Sequence, residues 1–175
     1  MLVVHGTKKF RDRVGGPLVD PSEQSSTALG NWYATVLFWR PQVALFVNET
    51  TLLPVLLPFA PARSVIERFT PTLASVLGAH GVAVSFIDYE VAEMGEHGLA
   101  KTANRSVLGV MNEFALEAEV EREDSFEPES LVWLSVRLAR MPCGPLYDRH
   151  VSPDRELAAL AGAHLTGGRG LRPTL

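Results

Sequence analysis

The feature that most constrains the fold is a continuous apolar run, Val43-Ala44-Leu45-Phe46-Val47. A strand buried on both faces is apolar throughout, whereas a strand with one face in water alternates between apolar and polar residues. The run therefore predicts a central strand. The turn Asn48-Glu49-Thr50 leads into a second apolar run over residues 52–57, which is predicted to pair with the first. Pro54 places this second strand at an edge or a bulge, because proline cannot donate a hydrogen bond to a sheet.

Apolar spacing predicts the remaining elements. Residues at helical intervals indicate helices over 28–37, 62–79, 105–122 and 153–164, and a brief helix over 7–14. Residues 86–94 also fit a helix, although a strand is possible there, and strands are predicted over 2–5 and 131–138. This order favours an α+β fold, a single compact domain in which a mixed sheet packs against several helices. The length of 175 residues suits one domain. We assign it to residues 1–165 and expect residues 166–175 to form a flexible C-terminal tail.

Charge and cysteine content limit the environment and the partners. The net charge of −4 excludes a broadly polycationic surface, so a nucleic acid would have to be held locally. The one cysteine, Cys143, cannot form a disulfide within the chain, which fits a reducing compartment. The most apolar segment, residues 52–62, contains three prolines and is too short to span a bilayer. We therefore predict a cytoplasmic protein with no membrane partner.

Familiar catalytic motifs do not occur in the sequence. It contains no phosphate-binding loop, dinucleotide-binding fingerprint, nucleophile elbow, zinc-protease motif or cysteine pair. The five histidines lack the spacing of metal ligands, so we assign no metal-binding residue. The sequence identifies no cofactor and leaves open whether the protein is an enzyme.

The stretch Lys101-Thr102-Ala103-Asn104-Arg105-Ser106 is the strongest candidate site. Asn104 is a good N-cap residue, and free backbone N–H groups together with the helix dipole favour an anion at a helix N-terminus. Lys101, Arg105 and Ser106 add an ammonium group, a guanidinium group and a hydroxyl group, which suit phosphate or carboxylate. The alternative is a capped helix whose cations are solvated or are paired with an internal carboxylate, for which Glu49, Glu93 and Glu96 are candidates.

Two further segments extend this ligand-binding hypothesis. Thr7 and Lys8 follow the opening strand and could enlarge the anion site, although such lysines are more often solvated. Trp32 and Tyr33 could stack on a base, although these residue types more often belong to a core with their polar atoms satisfied.

Three polar residues and one cysteine complete the candidate set. Asn48 and Glu49 follow the predicted central strand, where functional side chains are often mounted, and Glu49 is the acid–base candidate. Asn112 follows Asn104 by eight residues and could face the same cleft, or it could tie the helix to a strand. Cys143 lies in a Pro/Gly turn, and a reactive thiol there would need an electropositive setting.

Four sequence blocks together resemble a known family. They are Thr7-Lys8; the G-x-W-Y-A block at residues 30–34; Phe46-Val47-Asn48-Glu49-x-Thr51-Leu52-Leu53-Pro54; and the K-x-x-N-R-S-V-L-G-x-M-N block at residues 101–112. The chain resembles a family of uncharacterised bacterial proteins, a domain of unknown function of roughly this length, over most of residues 1–160. The resemblance implies a bacterial cytosolic origin and brings no catalytic role.

Three functional hypotheses follow. The first is a domain that binds a phosphate-bearing ligand, either a nucleotide or a nucleic acid. The second is a non-enzymatic interaction or regulatory protein, whose partner would contact the acidic run over residues 117–129, or which would self-associate through residues 52–59. The third is a nuclease-like toxin acting on RNA. The oligomeric state is left open. Convergence of Lys101, Arg105 and Lys8 on one concave spot would favour the first hypothesis.

Overall fold

The computed structural model describes residues 1–122 and 128–167, and within these ranges it contains five strands and six helices. The strands are β1 (Leu2–Gly6), β2 (Trp32–Leu37), β3 (Val43–Asn48), β4 (Pro54–Pro58) and β5 (His97–Lys101). The helices are α1 (Lys8–Val14), α2 (Val65–Ala79), α3 (Val84–Ala92), α4 (Arg105–Glu121), α5 (Pro128–Leu138) and α6 (Pro153–Gly167).

The strands form one mixed sheet in the order β4-β3-β2-β1-β5. β1 runs parallel to β2 and β5, whereas β3 is antiparallel to β2 and β4. The apolar run is thus the internal strand β3, and the proline-containing strand β4 lies at an edge, as the sequence predicts. The predicted α+β class, with a mixed sheet packed against helices, is confirmed.

Both faces of the sheet are covered, which explains why its central strands are apolar throughout. In β2, Trp32, Ala34 and Val36 join a core cluster that includes the buried face of α2. Tyr33 and Leu37 point to the opposite face and join a second cluster with α4 and α5. Successive residues of a strand point to opposite faces. The sheet therefore lies between two layers of helices, and α4 covers the face that carries Tyr33.

The two edges of the sheet are protected in different ways. On β4, the backbone N–H of Leu56 donates to Ser135 Oγ of α5 at 2.9 Å. On β5, Leu18 forms a bridge with Leu99, and the side chain of Val19 covers Gly98. A Cβ atom at Gly98 would lie 2.9 Å from Val19 Cγ1, so a larger residue there would have to displace the Val19 side chain. Covering of this kind prevents edge-to-edge association of sheets.

Two predicted elements are wrong. The helix expected over residues 28–37 is the strand β2, because the apolar positions that fit a helical stripe are here buried on both faces of the sheet. Its aromatic and β-branched residues also favour a strand. The strand expected over residues 131–138 belongs to the helix α5, in which Leu131, Leu134 and Leu138 line one buried side at helical spacing.

One strand went unpredicted, and the boundaries of the last helix differ. β5 is short, and its burial is confined to Gly98, Leu99 and Ala100, which is too little for a recognisable pattern. The helix α6 extends to Gly167, beyond the predicted end at residue 164. Residues 168–175 of the expected tail and residues 123–127 of the acidic run lie outside the described residues. None of the helices over residues 1–122 and 128–167 combines the length and the apolar character that a membrane-spanning helix needs.

Candidate functional site

The candidate site is the entrance of α4, where a short loop connects the end of β5 to the helix. Asn104 is the N-cap, as predicted, and its Oδ1 accepts from the backbone N–H groups of Ser106 at 3.0 Å and Val107 at 3.2 Å. The expectation that the first-turn N–H groups are free is therefore wrong for these two. What the helix end offers a ligand is its dipole and its side chains.

The cationic side chains at this entrance are available to a ligand. Lys101, Arg105 and Ser106 are all exposed. Across residues 1–122 and 128–167, neither Lys101 nor Arg105 forms an ion pair, so Glu93 and Glu96 do not neutralise them. A basic first turn opposes the helix dipole, so an anion there would be stabilising.

Glu49 lies at the same entrance. The turn that follows β3 brings its half-buried side chain beside the cap, with Oε1 at 3.5 Å from both Asn104 Nδ2 and Tyr33 Oη. Both distances are at the outer limit of hydrogen bonding. Its carboxylate forms no ion pair with a described residue. Glu49 thus lies beside the Asn104 cap, whereas the side chain of Lys101, which alternates with that of Leu99 along β5, points to the opposite face of the sheet.

Tyr33 and His5 form the wall behind this carboxylate. The two rings stack with centroids 4.8 Å apart and planes inclined by 11°, and they are 1% and 2% exposed. Burial raises the pKa of Tyr33, and the negative charge of Glu49 adds to the rise, whereas the backbone N–H groups of Ala103 and Asn104 oppose it. The phenol therefore stays protonated at neutral pH and can donate to Glu49.

His5 is a polar residue of this wall that sequence reasoning missed. Its Nδ1 lies 2.9 Å from the carbonyl oxygen of Lys101, and because a carbonyl only accepts, Nδ1 carries a proton. In the neutral ring, Nε2 is then an acceptor, yet it is buried and has no hydrogen-bond partner among the described residues. The available signal was a histidine inside an apolar strand, which by itself does not indicate a site.

Comparison with known proteins bears on this arrangement. A family model matches residues 3–156, which include every residue of the entrance and its wall. The chain belongs to the family described as Domain of unknown function (DUF6933). This confirms the resemblance seen in the sequence. No curated protein and no solved structure matches the DUF6933 chain.

Two other candidates of the DUF6933 domain lie beside the carboxyl end of β1. The hydroxyl groups of Thr7 and Thr35 are 3.1 Å apart. Gly6 pairs with Lys101 in the sheet, so α1 begins near the site, but Lys8 Nζ bonds Asp12 Oδ2 at 2.6 Å on the exposed side of α1. Lys8 is therefore engaged by an internal carboxylate and does not join Lys101 and Arg105. Exposed pairs of this kind contribute little to stability.

The predicted stacking platform is absent from the surface. Trp32 is fully buried against Phe69, with ring centroids 4.9 Å apart, and no residue that the structure describes forms a hydrogen bond with its Nε1. Tyr33 faces the opposite side of the sheet beneath the α4 entrance. Both rings are covered in this structure, so neither offers a face to a nucleic-acid base.

The two asparagines take different places in the DUF6933 fold. Asn48 is completely buried; its Nδ2 donates to the carbonyls of Leu29 and Asn31, and its Oδ1 accepts from Thr50 and Thr51. It is a structural residue of the turn after β3, with no group left for a ligand. Asn112 is exposed on α4, roughly 12 Å along the helix from Asn104. It lines a separate groove of about 470 Å³ with Lys9, Phe38 and Trp39.

Metal and thiol chemistry receive no support from the DUF6933 domain. Among the described residues, no group of three or more His, Cys, Asp or Glu side chains is arranged to hold a metal ion. Cys143 is buried, and this burial, together with the charge of Glu113, raises the pKa of its thiol to about 11. A reactive cysteine has a lowered pKa and some exposure.

Proposed function

We propose that this DUF6933 domain binds a phosphate-bearing ligand at the α4 entrance. Arg105 and Ser106 contact the phosphate, and Lys101 adds a second positive charge from the end of β5. The observation that carries the proposal is the pair of exposed cations, Lys101 and Arg105, which have no carboxylate partner among the described residues. These two cations lack a described carboxylate partner although acidic residues outnumber basic ones in the chain, 20 to 16.

The chemistry of the entrance suits phosphate. A guanidinium group binds two phosphate oxygens in a planar fork, and an ammonium group adds a compact point charge. The positive end of the α4 dipole favours the same anion. Glu49 is the acid–base candidate of the site, because its carboxylate lies at the entrance itself. We assign no reaction.

A ligand of nucleotide size fits better than a nucleic acid. A protein that binds nucleic acid mainly through phosphates uses many cations along a basic surface. This domain has a net charge of −4, and its site offers two cations, neither of which forms an ion pair with a described residue. We therefore propose a mononucleotide or similar phosphate ester, bound by a bacterial protein of the cytoplasm, and use RNA as the comparison ligand.

Titration calorimetry with AMP, ATP and a short single-stranded RNA tests the proposal. Arg105→Glu removes a charge-assisted contact and adds repulsion, so we expect affinity to fall by about 10- to 100-fold. The matched control is Arg63→Glu, an exposed arginine next to α2 on the other side of the sheet, which should leave affinity unchanged.

Stability separates binding from a structural role. Without ligand, both variants should unfold within about 0.5 kcal/mol of the wild type, because both side chains are exposed. The proposal is wrong if no phosphate ligand binds, or if Arg105→Glu and Arg63→Glu change affinity equally. Tighter binding of RNA than of nucleotides would instead favour the nucleic-acid alternative.

A protein-interaction role is the second candidate, favoured by an exposed apolar surface at the other end of α4. Phe38, Leu116 and Val120 are 55%, 69% and 67% exposed. By contrast, the stretch 52–59, first considered for self-association, is almost entirely buried in the core. A concentration-dependent increase in mass, lost in Phe38→Ser, would support an interaction through the α4 surface.

A further inference from the structure

We infer that the groove between α1 and α4 binds an extended peptide segment of a partner protein, which adds a strand beside β2 and carries alternating acidic and apolar side chains. The inference rests on the protein-interaction role, for which it names the partner, and is independent of phosphate binding at the α4 entrance. The groove has a volume of about 470 Å³ and is lined by Lys9 of α1, by Ala115, Leu116 and Glu119 of α4 and, between the two helices, by residues 36–39.

The sheet has an open position at this groove. β1 ends at Gly6, opposite Ala34, whereas β2 continues to Leu37. After β1 the chain turns away into α1, whose Phe10 packs in the core on one face of the sheet, while Phe114 of α4 packs on the other face. The last residues of β2 therefore have no neighbouring strand on the β1 side, and a helix lies above and below the vacant position.

The backbone of Val36 points into this vacant position. In an antiparallel ladder, the N–H and C=O groups of one residue point to the same side of the strand, and those of the next residue point to the other side. The Ala34 carbonyl accepts from the Thr7 N–H at 2.9 Å, on the β1 side, so Val36, two residues further on, faces that side as well.

The two backbone groups of Val36 are unsatisfied. Neither forms a hydrogen bond with a described residue, although Val36 is fully buried. Buried backbone N–H and C=O groups in folded proteins are nearly always paired. An added strand supplies both the missing acceptor and the missing donor, which is how extended peptides bind to the open edge of a sheet.

The wall of the groove on the α1 side favours acidic side chains. The ring of Phe38 is 55% exposed, and its centroid lies 5.2 Å from Lys9 Nζ and 4.9 Å from Arg13 Cζ. Neither cation forms an ion pair with a described residue, and Arg13 donates only to the neutral side chain of Gln42, at 2.6 Å. A carboxylate that enters beside Phe38 therefore meets two complementary charges.

The wall on the α4 side favours apolar side chains. It presents Ala115 and Leu116, of which Leu116 is 69% exposed, and its acid Glu119 lies 3.6 Å from Arg122 Nη2. Because successive side chains of a strand point to opposite faces, the peptide directs every second side chain towards α1 and the others towards α4. The exposed side chains along the groove turn aside to admit it, since exposed side chains change rotamer within nanoseconds.

Fluorescence anisotropy on the full chain tests the inference with a labelled Leu-Glu-Leu-Glu-Leu peptide blocked at both ends. We expect this peptide to bind, and Leu-Lys-Leu-Lys-Leu to bind at least about 10-fold more weakly. Two further peptides carry N-methyl groups, either on the leucine amides or on the glutamate amides. Since alternate amides face β2, one methylated form should lose about 10-fold or more in affinity, whereas the other should bind like the parent.

A pair of neighbouring lysines provides matched variants. Lys9→Glu places a negative charge in the groove and should weaken the glutamate peptide by about 10-fold, with a smaller effect at high salt. Lys8→Glu makes the same change of charge one residue away, at an exposed position that does not line the groove, and should leave affinity unchanged. Both side chains are exposed, so both variants should fold.

The inference is overturned if the glutamate peptide does not bind, if both methylated forms bind like the parent, or if Lys8→Glu and Lys9→Glu weaken binding equally. Self-association that is lost in Phe38→Ser, without peptide binding, would leave the interaction role standing and overturn only this partner. If the chain neither self-associates nor binds the peptide, both fail. The comparison of peptides needs only the wild type, so it holds even when a variant does not fold.

Discussion

Asn48 provides the sharpest test of how the fold is held together around the site. Asn48→Ala leaves the backbone N–H of Thr51 and the carbonyl of Leu29 buried without their hydrogen-bond partners. Each unsatisfied buried group costs about 1–3 kcal/mol, so we expect a loss of about 2–6 kcal/mol in the free energy of unfolding. The Asn31 carbonyl adds little to this loss, since it still accepts from the Glu49 N–H at 2.9 Å.

Urea unfolding followed by circular dichroism measures this loss. Asn48→Asp should destabilise at least as much as alanine, because it turns an oxygen towards two carbonyl oxygens where the amide donates. Asn112→Ala is the control and should remain within about 0.5 kcal/mol, since Asn112 is exposed. The milder variant Thr51→Val, which loses only the hydroxyl, covers the case in which Asn48→Ala does not fold. A loss below about 1 kcal/mol for Asn48→Ala, with loss of ligand binding, would refute the structural role.

Two further predictions concern buried titratable groups. Burial raises the pKa of Glu90, although the N–H groups of Leu29 and Ala28 donate to it and oppose the rise. The protonated Glu90 side chain therefore stabilises the fold at pH values below 4.5, the ordinary pKa of the group. This stabilisation is lost as the pH rises through the higher pKa of the folded state. Urea unfolding at several pH values should show the wild type losing more stability over this window than Glu90→Gln, and parallel profiles would contradict the assignment. For Cys143, a pKa of about 11 predicts that a thiol reagent at pH 8 reacts about 100-fold more slowly with the folded than with the unfolded protein, and equal rates would contradict its burial.

The candidate site was predictable from the sequence in part. The cap at Asn104 and the cations beside it lie within six consecutive residues, and capping depends on residues two and three positions away. The contact between Glu49 and the Asn104 cap was not predictable from neighbouring residues. Glu49 and Asn104 are 55 residues apart, and their contact requires the antiparallel register of β2 and β3 and the path of α4 over that face of the sheet.

Two residues predicted for the site lie in the core instead, and they show again that local sequence does not reveal contacts with distant residues. Trp32 and Asn48 belong to residue types that are common both in binding sites and in cores. Their burial depends on neighbours such as Phe69 and Leu29, which are distant in sequence. His5 shows the converse, since an apolar strand concealed a buried ring nitrogen that no described residue satisfies.

The sequence by itself determined the elements whose signal is local. The apolar run of β3, the edge position of β4 and the capped start of α4 each depend on a few neighbouring residues, through burial of both strand faces, the missing N–H of proline and the side-chain acceptor of asparagine. Only the tertiary structure decided that residues 32–37 form a strand and residues 131–138 belong to a helix, because their apolar spacing fits either period and the packed neighbours select one. It also decided that the Glu49 carboxylate lies beside the Asn104 cap of α4, since the strand pairing that brings the two residues together is non-local.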